Sequence, residues 1–252
     1  MKKKNVGFMA LMTIVVFFSL ALSGCTQEKG KKIIVGTEAT FQPFEYTDSS
    51  GNIVGFDIDM IKWILERENY TVEIRDMAFD LLVPSLQEGK IDVIVAGMTI
   101  NDERLLQVDF SEPYFEADQS VLIKKDSGIV IADIFDLKQL TKVGGQTGTT
   151  GWAWIGENIG NESRISYSLY TEAVADLKIG PERVQALVLD KPVAQSFAQD
   201  PELVVAYTII TNETYGIAVK KGNTELLNKI NNGLVALKAS PEWNRLISMY
   251  FE

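Results

Sequence analysis

The chain has 252 residues, 46% of them hydrophobic, and a formal net charge of −10; that composition suits a soluble protein of one large or two smaller domains. It contains no histidine and one cysteine, which excludes Ser-His-Asp and Cys-His catalysis, imidazole zinc sites, an internal disulfide and any CxxC motif. The first 24 residues carry Lys2, Lys3 and Lys4 and no acid, so the remainder stands at −13, a surface that repels phosphate backbones and makes nucleic acid an unexpected partner.

At the N-terminus, MKKKN precedes an uncharged apolar run over 6–22 and the small residues Ser23 and Gly24. That order predicts a secretory signal over 1–24. The run is long for such a signal, so an uncleaved membrane anchor is the alternative. Leu22-Ser23-Gly24-Cys25 resembles a prokaryotic lipoprotein box, which implies acylation of Cys25 as the first residue of the mature chain. On either reading the body lies outside the cytoplasm, at the cell surface or in the periplasm, and is held to the membrane. Residues 25–32 make a polar, glycine-containing tether.

Short apolar strands then alternate with amphipathic helices. A strand at 33–35 is followed by a helix over 56–68, with Ile58, Ile61 and Leu65 on one face. A strand at 71–74, a helix over 79–87 carrying Pro84, and a buried strand at 91–96 come next. The pattern resumes with strands at 142–144, 165–167 and 186–189, each followed by a helix, over 150–158, 171–178 and 191–199. A strand at 215–219 precedes helices over 224–238 and 241–251, the last opened by Ser240-Pro241-Glu242. This alternation predicts an α/β fold with parallel pairing. QSVLIK (119–124) and YGIAVKK (215–221) are candidate crossovers. They divide the chain into one lobe of 33–120 plus 217–252 and another of 121–216, with a hinge and a cleft between them.

In open α/β sheets ligands bind beyond the carboxyl ends of the strands, and polar residues collect there. Gly97 and Thr99 offer donors near Arg104, whose guanidinium matches a carboxylate; the alternative is a surface arginine in a short helix opened by Asn101. Gln146, Thr149 and Thr150 lie in GQTGTTG ahead of a helix, either an anion seat or a threonine-capped glycine turn. Asp190 ends a strand, either to accept from an ammonium group or to cap the next helix. Phe41 and Phe79 are core residues or two walls of a slot. Gathered together, these groups have the profile of a site for a free amino acid.

The runs GTEATFQPFEY, VGFDIDM, MAFDLLVPSLQEGKIDVIVAGMTINDER, VDFSEPYFEA, GQTGTTG, LVLDKPVA and YGIAVKKG closely resemble, in order, the family 3 extracellular solute-binding proteins of polar amino acid ABC importers. The resemblance implies a type II periplasmic-binding-protein fold: two βα lobes joined by two hinge crossovers. It implies that Phe41 and Phe79 wall the ligand side chain, and that Gly97, Thr99 and Arg104 hold the α-carboxylate with Thr149 and Thr150. By the same resemblance Asp190 holds the α-ammonium, and Glu38 and Gln146 meet the end of the side chain. Glu38 stands where the family usually has Asp, and Gln185 where it commonly has an acid. The implied mechanism is capture of a polar or basic L-amino acid by hinge closure and delivery to a membrane permease. No cofactor, metal or catalytic residue is expected, and the protein is expected to be a monomer. Two rivals share the fold: a cyclohexadienyl or arogenate dehydratase using Glu38 and Asp190, and a sensory module that reports ligand to a separate membrane receptor.

Overall fold

A computed structural model describes residues 30–252; the expected signal segment, Cys25 and most of the expected tether lie outside the described residues. The chain opens with β1 (Lys32–Thr37), and a small antiparallel sheet follows: β2 (Thr40–Phe41), β3 (Glu45–Thr47) and β4 (Ile53–Val54). Then come α1 (Phe56–Arg67), β5 (Thr71–Asp76), α2 (Phe79–Gln87), β6 (Val93–Ile94), α3 (Asp102–Leu105) and β7 (Val108–Phe110). The next stretch holds β8 (Phe115–Lys124), α4 (Ile134–Leu137), β9 (Val143–Gln146), α5 (Thr150–Asn158), β10 (Arg164–Tyr167) and α6 (Tyr170–Ile179). The chain finishes with β11 (Ala186–Asp190), α7 (Lys191–Phe197), β12 (Leu203–Tyr215), β13 (Ala218–Lys220), α8 (Thr224–Lys238) and α9 (Pro241–Phe251).

Two five-stranded sheets organise these elements. The first has the order β5-β1-β6-β13-β7, and the second β10-β9-β11-β8-β12. β1 runs parallel to β5 and β6, and β9 parallel to β10 and β11, as helix-linked strands must. Beyond the alternating pattern, each sheet also carries antiparallel strands: β13 against β6 and β7, and β8 against β11 and β12. Both sheets are covered on both faces. In β11, Leu187 and Leu189 pack on the face toward α6 and α7, while Ala186 and Val188 pack with Leu137 and Ile155 of α4 and α5. That period of two on a strand buried on both sides gives the unbroken apolar run ALVL.

The segment 119–124 is the second half of β8, paired within the second sheet along its length. The chain leaves the first sheet between β7 and β8 and returns between β12 and β13. The expected single strand at 215–219 is interrupted at Gly216, where an added Cβ would lie 2.8 Å from the Ile100 side chain. β12 was not legible as a strand before Tyr215, and it carries an irregularity that matters for the cleft. Ile209 faces Gln119 and Glu213 faces Ala117, so three residues of β12 answer to Asp118 alone. Asp118 Oδ1 accepts from the backbone N–H groups of Thr211 and Asn212 at 2.9 and 3.1 Å, and Asn212 has φ +52°. Such a bulge re-aims the side chains beyond it.

Candidate functional site

Nine of the ten residues expected in the cleft line one cavity: all but Glu38. They come from the ends of β1, β5, β6, β9 and β11 or the segments that follow them, and from both lobes, as the carboxyl-end rule predicts. The cavity measures about 10 Å³, barely what a single water requires. It adjoins a wider cleft of about 300 Å³ that shares Phe79, Arg104, Thr149 and Thr150 as walls. The lobes are therefore closed on each other, and a solute reaches these groups only when they part.

Arg104 resolves in favour of the cleft. Asn101 does open a short helix, accepting from the Arg104 N–H at 2.9 Å, yet the guanidinium is buried. Its Nη1 donates to the carbonyl of Thr99 at 2.7 Å and its Nη2 to that of Gly148, in the other lobe, at 3.0 Å. The Phe79 ring lies 5.3 Å from its Cζ. Burial lowers the Arg104 pKa, opposed by the charges of Asp190 and Glu213. Among the described residues no carboxylate lies within ion-pair distance of it, so its charge faces the cavity unneutralised by direct contact.

Asp190 occupies the N-cap position of α7 but makes no side-chain cap bond. Its Oδ1 instead accepts from Gln119 Nε2 at 3.1 Å. Burial first, and the negative charge of Glu213 second, push its pKa up to about 7, with Arg104 pulling the other way. Thr149 is the true cap of α5: its hydroxyl accepts from Trp152 N–H at 3.2 Å and donates to the Gln146 carbonyl at 2.7 Å. Thr149 thus lines the cavity with its hydroxyl proton committed elsewhere. Thr150, at the first position of α5, has a backbone N–H with no intrahelical partner.

The expected side-chain end of the site is a cross-lobe contact. Glu38, buried, accepts from Thr40 Oγ1 at 2.7 Å and from Gln146 Nε2 at 3.2 Å. Burial raises its pKa, offset by those two bonds. The Phe41 ring stacks on Tyr170 of the second lobe, centroids 6.0 Å apart. The two expected walls, Phe41 and Phe79, therefore face Tyr170 and Arg104 in the closed form. Gly97 differs from expectation too. Its N–H donates to Asp57 Oδ2 at 2.9 Å, so only its carbonyl remains for a solute.

Three groups of the cleft escaped the sequence reading: Gln119, Tyr170 and Glu213. Gln119 had a signal, since it is a polar residue heading the apolar run QSVLIK and is fully buried. Glu213 had none, because only the bulge turns it inward. Among the described residues no cluster of three or more His, Cys, Asp or Glu is placed to hold a metal ion, and no helix is long and apolar enough to cross a membrane.

The chain matches the family described as bacterial extracellular solute-binding proteins, family 3, over residues 33–252. It is 35% identical over 227 residues to the "ABC transporter arginine-binding protein 1" of Escherichia coli K12, covering 88% of this chain and 91% of that one. Among solved structures, holo ArgBP from T. maritima aligns with a TM-score of 0.78 at 43% identity, over 88% of this chain and 96% of that one. An ancestral amino acid-binding protein described as a precursor of cyclohexadienyl dehydratase aligns with a TM-score of 0.81 at 36% identity, over 88% and 96%. The two solved structures share the two-lobe fold.

Proposed function

Because the chain belongs to the bacterial extracellular solute-binding proteins of family 3, we propose that it captures a free cationic L-amino acid, arginine foremost, between its lobes and delivers it to a membrane permease. One observation carries the reading: a buried guanidinium and a buried carboxylate, Arg104 and Asp190, face the same cavity from different lobes. An α-carboxylate and an α-ammonium are their complements. The Thr150 N–H at the start of α5 supports the carboxylate end. Glu38 at the far end supplies a buried acid for a cationic side chain, and Phe41, Phe79 and Tyr170 supply apolar faces for its methylenes. Arg104, Asp190, Glu38 and Phe41 now pair with the protein itself, so the solute replaces internal partners as the lobes reclose around it. The name of the E. coli relative and the T. maritima neighbour point to arginine.

The same reading extends to the N-terminus, where Leu22-Ser23-Gly24-Cys25 makes Cys25 the lipid attachment point that holds the protein at the membrane. Incorporation of labelled fatty acid into the wild type but not into Cys25→Ala tests it.

Binding is tested by thermal shift, on protein freed of co-purified solute by unfolding and refolding, against the twenty amino acids and prephenate. Arginine at a hundredfold excess over its Kd raises the melting temperature by about 5–10 °C. Asp190→Asn and Arg104→Ala each lower the affinity about 100-fold or more, since each strands a buried charge of the solute. A shift with prephenate alone replaces the transport reading with the dehydratase one.

A further inference from the structure

We propose that Glu213 is a second acid of the ammonium subsite, held by the β12 bulge so that Asp190 and Glu213 together grip the α-ammonium group of the solute. The inference deepens the amino-acid reading above and rests on it. One oxygen of Glu213 is fully engaged: Oε2 accepts from Thr150 Oγ1 at 2.6 Å, Thr99 Oγ1 at 2.7 Å and Gln119 Nε2 at 3.4 Å. Those donors fix the orientation of the carboxylate from both lobes. The other oxygen, Oε1, makes no hydrogen bond among the described residues, so it keeps its full accepting capacity.

Gln119 ties the two acids together, because the same Nε2 that reaches Glu213 also donates to Asp190. Two carboxylates bridged by one amide nitrogen repel each other until a cation sits between them, and an ammonium group brings three donors to that place. The arrangement also reassigns the Thr99 hydroxyl, which serves Glu213 as the Thr150 hydroxyl does, and leaves Arg104 and backbone N–H groups, that of Thr150 included, to take the carboxylate of the solute. The aim of Glu213 is built into the fold: Asp118 secures the bulge and Asn212 adopts the left-handed conformation it needs. A regular strand would not place a side chain so.

The charged and titratable surroundings are mixed. Inside the cleft they are Asp190, Arg104, Tyr170 and Tyr215, with Glu45 farther off. On the outer side, where Glu213 lines a separate cavity of about 470 Å³, they are Glu116, Asp118 and Lys191.

The test is calorimetric titration of arginine into full-length wild type and Glu213→Gln from pH 5 to 9, with Glu213→Asp and Asp190→Asn alongside. The expected result for Glu213→Gln is a Kd raised about tenfold or more at pH 8. Its fall in affinity on the acid side moves to lower pH, because the charge beside Asp190 is gone. Glu213→Asp keeps the wild-type acid limb. Unchanged affinity and an unmoved limb in Glu213→Gln, with Asp190→Asn still losing binding, overturn the second acid while sparing the site. Weaker binding with an unmoved limb also overturns it, and makes Glu213 a structural clasp. A wild type that binds no amino acid overturns this proposal and the reading beneath it.

Discussion

Gly97 sits where three requirements meet. Its φ is +50°, a Cβ there would lie 2.5 Å from the Phe41 ring, and its N–H is taken by Asp57. The side chain of any other residue would push Phe41 off Tyr170 and strain the backbone. Gly97→Ala should therefore cost about 2–3 kcal/mol, from the left-handed conformation and the forced repacking together. Thermal or urea denaturation measures that loss, and a shift within experimental error of zero would mean that the loop relaxes freely. The same scale shows why single-residue readings stayed open in the sequence. Asn101 and Arg104 are compatible with an exposed helix start, and Asp190 with an N-cap. Asn101 does cap its helix, but the Arg104 and Asp190 side chains turn away from theirs and reach Gly148 and Gln119, distant in sequence.

At the scale of the element, the β12 bulge is the feature that local pattern could not announce. Its residues 203–215 read LVVAYTIITNETY, with β-branched runs but no clean alternation, because two register shifts break the period. Asp118 compensates for the lost ladder bonds by accepting two backbone N–H groups. Asp118→Ala removes both bonds, stranding the half-buried Thr211 N–H while water takes the exposed one of Asn212, which costs about 1 kcal/mol, and it frees Glu213 to turn. We expect lower stability together with weaker arginine binding, measured by urea denaturation and calorimetry; a stability loss with intact binding would detach the bulge from the site. Helices were easier to read. α8 and α9 fall on the expected residues because their apolar spacing and the stop at Ala239-Ser240-Pro241 are local facts.

At the scale of the molecule, buried carboxyls set the response to pH. Asp190 is raised to about 7 and Asp57 to about 6, each chiefly by burial. Glu45 lies well above the ordinary range, through burial and then the charge of Asp57. Neither Glu45 oxygen nor Asp57 Oδ1 has a hydrogen-bond partner, as fits two acids that need one proton between them. A carboxyl whose pKa is higher folded than unfolded binds more protons in the native state. Its contribution is full below the unfolded value near 4 and is lost as pH rises through the folded value. The solute-free protein should thus melt at a lower temperature at pH 8 than at pH 5, and Asp190→Asn should flatten part of that slope. Melting curves across pH check this, and a midpoint that rises over this interval contradicts it. On the proposed amino-acid reading, solute binding should run the other way, because Asp190 would have to be ionised to hold an ammonium group.

What the sequence determined by itself was whatever depends on neighbours along the chain. The alternation of apolar strands and amphipathic helices fixed the α/β class, and polar residues just past strand ends marked most of the cleft. The lack of histidine closed off whole classes of chemistry. What only the tertiary structure decided was partnership. Glu38 meets Gln146 across 108 positions, Thr99 meets Glu213 across 114, and Gln119 joins Glu213 to Asp190. Such contacts follow from how two sheets are joined and closed, and from a bulge whose cause lies on the neighbouring strand. Local periodicity carries no record of either.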